Sequence, residues 1–138
     1  MASAWQLQKA LFERLEPVLA ALNPPVPLFD DAPANTPFPY AEFSRHVMTP
    51  DDGFGHYLTQ DLVTIAVYSE GAPSAQLAGQ GHVLSVMETV RAALTDARLA
   101  LADGSETIRC RYERADTARD SDGRTHVGTI IFSVLFEH

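Results

Sequence analysis

Cysteine, lysine and long apolar runs are scarce in this chain of 138 residues. Because Cys110 is the only cysteine, no internal disulfide can form, which excludes a disulfide-stapled scaffold. No apolar run approaches the roughly 18 residues that a membrane-spanning helix needs. Lys9 is the only lysine, so nearly all of the ten basic residues are arginines. These absences leave a domain that is held together by its own core.

Acidic residues outnumber basic ones by 18 to 10, which gives a net charge of −8. Proteins that grip nucleic acid or anionic membranes need an excess of Lys and Arg, so both classes are disfavoured. Apolar side chains make up 46% of the chain, too many for a disordered protein. The length suits one domain, and we expect residues 1–138 to form it.

The N-terminal residues 3–22 show helical periodicity, with Ser3 as a candidate N-cap. Pro17 lacks a backbone donor and is expected to kink or restart this helix. A proline-rich connector follows at residues 24–37, with a possible short strand at 26–29. The apolar positions that recur every three or four residues are Leu7, Leu11, Leu15, Val18 and Leu22.

The remaining chain reads as two strands, a helix and two more strands. Strands are predicted at 40–48, 55–68, 107–115 and 124–136, and a helix from about Ser74 to just before Ala102. In the third of these strands, Ile108, Cys110 and Tyr112 are expected to face the core. The pattern predicts an α+β fold, a mostly antiparallel sheet of four to five strands flanked by two α-helices in the order α-β-β-α-β-β.

Motifs for catalysis, metal binding or cofactors are weak. The Gly79-Gln80-Gly81 stretch falls in a predicted helix without the strand and turn of a phosphate loop, so close packing is the better interpretation. Asp120-Ser121-Asp122-Gly123 lacks the spacing of a calcium loop and reads as a hairpin turn. The five histidines lack the close paired spacing of zinc ligands, although His46 and His56 flank one turn; we expect surface or rim positions. We therefore predict no catalytic, metal or cofactor site and no enzyme.

Half of the basic residues lie in residues 107–124, where five arginines meet four carboxylates for a net +1. The rest of the chain carries −9. One interpretation is a solvated hairpin face whose charges protect a sheet edge. The other is that Arg109, Arg111 and Arg114 dock on an acidic surface of a neighbouring copy, which the forked guanidinium suits. The sequence leaves both open.

The strands at 62–68 and 127–135 are apolar on both faces. Such a strand either lies centrally in a sheet or meets another chain. In the last strand Ile130, Phe132, Val134 and Phe136 share one face. On the opposite face, Val127, Ile131 and Leu135 are candidate subunit-interface residues.

Several stretches together resemble a known family. They are the helix Leu7-Gln-Lys-Ala-Leu-Phe-Glu-Arg-Leu, the Thr36-Pro-Phe-Pro-Tyr entry to the first long strand, the strand ending Tyr68-Ser-Glu-Gly, Tyr112-Glu-Arg, and the closing Asp122-Gly-Arg-Thr-His-Val-Gly. In order and spacing they resemble the tail-completion, or tail-terminator, proteins of long-tailed bacteriophages, prophages and gene transfer agents. The resemblance covers nearly the whole chain.

The resemblance implies a structural virion protein with a β-sheet flanked by two helices and no catalytic residues. Such proteins form a ring, typically a hexamer, at the head-proximal end of the tail, after assembly in the host cytoplasm. The implied partners are other copies of the chain, the tail tube protein and the head–tail connector protein, with DNA only as a transiting passenger. The alternatives are a head-side connector or stopper ring and a small-ligand-binding α+β domain.

Overall fold

A computed structural model describes residues 3–53, 57–73 and 76–137. The elements in chain order are α1 (Ala4–Ala20), β1 (Leu28–Phe29), β2 (Tyr40–Pro50), β3 (Leu58–Ser69), α2 (Gly79–Leu94), β4 (Arg109–Arg119) and β5 (His126–Glu137). This confirms the α+β prediction. The five strands form one sheet in the order β1-β2-β3-β5-β4. The short β1 is parallel to β2, and the other pairings are antiparallel.

The helix α1 begins as the sequence predicts, at a capping box. The Gln6 amide nitrogen donates to Ser3 Oγ, and the Ser3 amide donates to Gln6 Oε1 at 2.8 Å. Pro17 neither ends nor restarts the helix, which runs on to Ala20. Because the helix is continuous, Leu19 follows Leu15 on the buried face, and the predicted core residue Val18 points outward instead.

The helix α2 is shorter than predicted. It ends at Leu94, where Thr95 turns extended and its hydroxyl donates to the Arg91 carbonyl oxygen. Asp96 then adopts φ +58°, which breaks the helix. The helix begins at Gly79, later than the predicted start near Ser74, because Ala78 is extended and Gln76 has φ +59°. Ser74 itself and Gly55, the predicted start of the second strand, lie outside the described residues. The segment after Asp96 still buries Ala97, Leu99 and Leu101, which explains why its periodicity resembled a helix.

One prediction within β4 is wrong. Ile108 precedes the strand and is 47% exposed, whereas Thr107 is buried. The Thr107 hydroxyl accepts a hydrogen bond from the Leu99 amide at 2.9 Å, which holds it inward. Cys110 and Tyr112 do face the core, and a β-bulge at Glu113 then shifts the register of the strand.

Both helices pack on the same face of the sheet. Tight contact with β5 is possible because Gly128 lies under α2: a Cβ there would come within 2.2 Å of Val83 Cγ1. The Arg91 guanidinium of α2 stands 4.4 Å from the centre of the Tyr112 ring of β4. The leucines of α1 join the same core as the inward side chains of β2, β3 and β5. The fold is therefore two layers, with the opposite face of the sheet free of both helices.

Candidate interaction surface

The face of the sheet opposite the helices is here called the open face. Its side chains follow from the strand registers, since residues paired across neighbouring strands project to the same side. One row runs Thr49, Gln60, Leu135 and Arg109 across the four long strands. A second row consists of Val47, Leu62, Ser133 and Arg111. A third consists of Arg45, Thr64, Ile131 and Arg114. The row toward the other end of the sheet is Tyr40, Tyr68, Val127 and Ala118.

The open face contains all six residues that the sequence analysis nominated for a subunit interface. They are Arg109, Arg111, Arg114, Val127, Ile131 and Leu135. The three arginines are exposed on β4, and the three apolar residues are partly exposed on β5. The arginine and the apolar hypotheses were independent, but the β4–β5 register joins them into one surface. Arg109 lies opposite Leu135, and Arg114 opposite Ile131.

Exposed apolar side chains concentrate where β2 ends and β3 and β4 begin. On the open face Val47 and Leu62 are paired, with 36% and 37% of their surfaces exposed. Tyr57 and Ile108 precede β3 and β4 and are 64% and 47% exposed. On the open face itself, Val47 and Leu62 share a row with Arg111, and aliphatic side chains beside arginine are typical of protein–protein interfaces.

The opposite end of the open face carries stacked aromatic rings and a hydrogen-bonded carboxylate. The rings of Tyr40 and Tyr68 stack at 4.8 Å, and Phe38 stacks on Tyr40 at 5.6 Å. Glu42 accepts hydrogen bonds from the Tyr68 hydroxyl at 3.1 Å and from the Ala32 amide at 3.0 Å. Burial and the nearby Glu42 carboxylate raise the pKa of Tyr68 to about 12. The Thr-Pro-Phe-Pro-Tyr stretch therefore ties the connector to the sheet.

A second surface feature lies at the β1 edge of the sheet, on α1. A groove of about 300 Å³, here called the Trp5 groove, is almost wholly apolar. Its lining residues are Trp5, Gln8, Lys9, Phe12 and Asp30. The sequence analysis did not find it, because Trp5 and Phe12 lie outside the leucine periodicity of α1. The available signal was the spacing of seven residues between Trp5 and Phe12, which places two aromatic side chains on one side of a helix.

The histidines that the structure describes are not grouped as metal ligands. Among residues 3–53, 57–73 and 76–137, no three His, Cys, Asp or Glu side chains are grouped so that they could hold a metal. His46 Nδ1 contacts the buried Asp61 Oδ2 at 2.7 Å, and the expected partner His56 lies outside the described residues, as does His138. The sequence analysis missed this pair, since Asp61 lies in an otherwise apolar strand.

His82 is a correction to the expectation of surface or rim histidines. It is buried, and burial lowers its pKa. The Gly71 amide donates to Ser69 Oγ at 2.9 Å, and Ser69 Oγ lies within hydrogen-bond distance of His82 Nδ1, at 2.6 Å. His126 lies against the start of α2, where a Cβ on Gly79 would come within 2.3 Å of its Nδ1. Gly79 thus has the packing role that the sequence indicated.

Cys110 behaves as a core residue. It is fully buried, and burial raises the pKa of its thiol to about 11. A thiol with a raised pKa is a poor nucleophile and a poor metal ligand at neutral pH. The geometry of the described residues is thus better suited to contact with another macromolecule than to chemistry. No described helix is both long and apolar enough to traverse a bilayer.

Comparison with known proteins finds a similar fold among solved structures. A search of curated proteins finds no match. Among solved structures, the chain is similar to one from the "Virion of native gene transfer agent (GTA) particle", with a TM-score of 0.80 and 22% identity. The match covers 98% of this chain and 97% of the other, and shows a shared fold.

The family model "Tail completion protein gp17" matches residues 9–137, which includes every helix and strand described above except the first turn of α1. This agrees with the family that the sequence resembles and with the absence of a catalytic constellation among the described residues. The chain belongs to the tail completion protein gp17 family and is a structural component of a phage-type virion tail, not an enzyme.

Proposed function

We propose that this tail completion protein forms a homo-oligomeric ring, a hexamer, that caps the tail tube and joins it to the head connector. The observation that carries the proposal is the open face, where arginines and partly exposed apolar residues form one surface free of both helices. Burial of apolar area between copies would stabilise such a contact by about 25 cal/mol per Å² before the cost of association. Both β3 and β5 are central strands of the sheet, and a face used in this way would also cover Leu62, Ile131 and Leu135 on the side away from the helices.

The proposed ring lies at the head-proximal end of the tail, after assembly in the host cytoplasm. Its neighbours are the tail tube protein on one side and the head–tail connector protein on the other. DNA passes through without being held. The net charge of −8 suits this role, because each Lys or Arg contact with phosphate would add affinity and slow the passage. The arginines of β4 then contact protein, and the bore is lined by the acidic remainder of the chain.

The first test is the mass of the purified protein by light scattering over a range of concentrations, alone and with tail tube protein. We expect a concentration-dependent species that approaches six times the 15.1 kDa chain mass. A strictly monomeric protein that tube protein leaves unchanged would contradict the ring.

A matched pair of variants tests the surface. Ile131→Gln places an amide on the open face and should weaken association without unfolding the chain, because the side chain is only partly buried. Leu84→Gln makes the same kind of change on an exposed position of α2 and should leave association intact. If the two variants associated equally well, the open face would not be part of the interface.

Labelling the chain in assembled particles distinguishes the tail terminator from the alternative, a head-side connector or stopper ring. Label at the tube end of the joint supports the proposal, and label one ring closer to the head supports the alternative. A reconstruction in which Arg109, Arg111 and Arg114 line an open bore would overturn the assignment of these arginines to protein contacts.

A further inference from the structure

The Trp5 groove is an apolar hollow with an acidic surround. Trp5 is 66% exposed, and Phe12 lies on the same side of α1. Asp30 lines the groove, accepts a hydrogen bond from the Gln8 amide, and is followed by the exposed Asp31. Lys9 also lines the groove and offsets the charge of Asp30, so that with Asp31 these three side chains sum to −1. A ligand for this surface therefore needs an apolar portion and positive charge.

The open face has the complementary chemistry. The strand rows given above contain four arginines. A further row, Glu42, Ala66, Thr129 and Asp116, adds two carboxylates, for a net +2. Arg109 lies opposite Leu135 and Arg114 opposite Ile131, so apolar and basic groups are adjacent as the groove requires. The side chain of Arg111 is 61% exposed and its 3.6 Å contact with Glu113 is a surface ion pair, which contributes little. This arginine is available to a stronger partner.

One copy cannot fill its own groove. The groove lies beside β1, since Asp30 directly follows Phe29, and the arginines lie on β4. The strands β1 and β4 are the two edges of the five-stranded sheet, and three strands lie between them. Neighbouring strands are about 4.8 Å apart. Two different surfaces on opposite edges of a protomer give a head-to-tail contact, which closes into a ring when the rotation between copies allows it.

We propose that the Trp5 groove is the receiving half of the subunit interface and binds the β4 arginine side of the open face of a second copy. Trp5 and Phe12 then pack against apolar residues of the neighbouring open face, while Asp30 and Asp31 face its Arg109 and Arg111. This inference rests on the proposed ring and adds the surface with which the open face pairs. Burial of aromatic anchors with arginine at the rim is the usual composition of interface hot spots.

Charge exchange tests the pairing. The groove variant carries Asp30→Arg and Asp31→Arg, and the face variant carries Arg109→Glu and Arg111→Glu. Each variant alone sets like charges against each other, so we expect its self-association to weaken by about a hundredfold or more. An equimolar mixture restores opposite charges at every contact, and should recover the wild-type mass with the two variants in equal amounts. Light scattering and native mass spectrometry measure both quantities.

The controls distinguish a failure of the groove assignment from a failure of the proposed ring. Arg119→Glu with Arg124→Glu makes the same charge change at the β4–β5 hairpin, outside both surfaces, and should assemble like the wild type. Circular dichroism checks that every variant is folded, and Trp5→Ala provides a second groove variant that leaves Asp30 and its contact with Gln8 in place. Suppose that the wild type forms a ring, but that the charge variants also assemble alone or fail to assemble when mixed. That result overturns the groove assignment only. A wild type that stays monomeric overturns the ring itself.

Discussion

Single buried polar residues set the tolerance of this protein to acid. His82 is buried, and its Nδ1 forms a 2.6 Å hydrogen bond with Ser69 Oγ. The pKa of His82 is lowered on folding because burial penalises the charged ring. The unfolded chain therefore binds a proton more readily than the folded chain, and linkage makes stability rise with pH across this range. The stabilisation is complete above the ordinary histidine pKa of about 6.5 and is lost progressively below it.

This predicts a pH dependence that can be assigned to one side chain. The free energy of unfolding should fall as pH is lowered from 7 toward 5, and the fall should be smaller in His82→Gln, which cannot take up the proton. Urea unfolding at several pH values measures the difference. The other histidines remain in both proteins, so their contributions cancel in the comparison. An identical pH profile for the two proteins would contradict the role of His82.

At the scale of elements, the packing of α2 on β5 depends on one glycine. A Cβ at Gly128 would lie 2.2 Å from Val83 Cγ1 and 2.8 Å from Met87 Sδ. We expect Gly128→Ala to force α2 off the sheet and to lower the free energy of unfolding by about 1–3 kcal/mol, the usual cost of overpacking. Chemical denaturation with circular dichroism checks this.

The matched control is a second glycine, in α2 itself. Gly81 is inside α2, and a Cβ there would meet only Leu77 Cδ2 at an ordinary 3.7 Å. Gly81→Ala should therefore raise stability by about 0.5–1 kcal/mol through helix propensity. If Gly128→Ala proved as stable as Gly81→Ala, α2 would not be held against β5 as closely as described.

On the scale of the whole molecule, the connector at 24–37 is part of the core and not a loose linker. Val26 and Leu28 are buried with the α1 leucines and the inward residues of the sheet. The Val26 amide also donates to the Leu19 carbonyl oxygen at 3.0 Å. We therefore propose that residues 1–138 are one domain that unfolds in a single cooperative transition. Fluorescence of Trp5, which reports on α1, and far-UV circular dichroism should give the same midpoint, measured at low protein concentration. Separate midpoints would divide the chain into two units.

Much of the fold and of the surface could be predicted from the chain itself, because the relevant patterns are local. The N-cap at Ser3, the leucine periodicity of α1 and the alternation in β5 each depend on residues within a few positions. The boundary of α2 could not be predicted, because Leu99 and Leu101 continue an apolar pattern that a positive φ at Asp96 has already interrupted. Thr107 was expected outside and Ile108 inside, and a hydrogen bond to Leu99 reverses them.

The sequence by itself determined the fold class, the family and the six candidate interface residues, since periodicity, motif order and charge clustering are properties of the chain. Only the tertiary structure decided that these six share one face. Strand register and the bulge at Glu113 align Arg109, Arg111 and Arg114 with Val127, Ile131 and Leu135. Only the tertiary structure also placed the Trp5 groove at the opposite edge of the sheet from the arginines. Which strand lies at an edge depends on long-range pairing, and no local pattern encodes it.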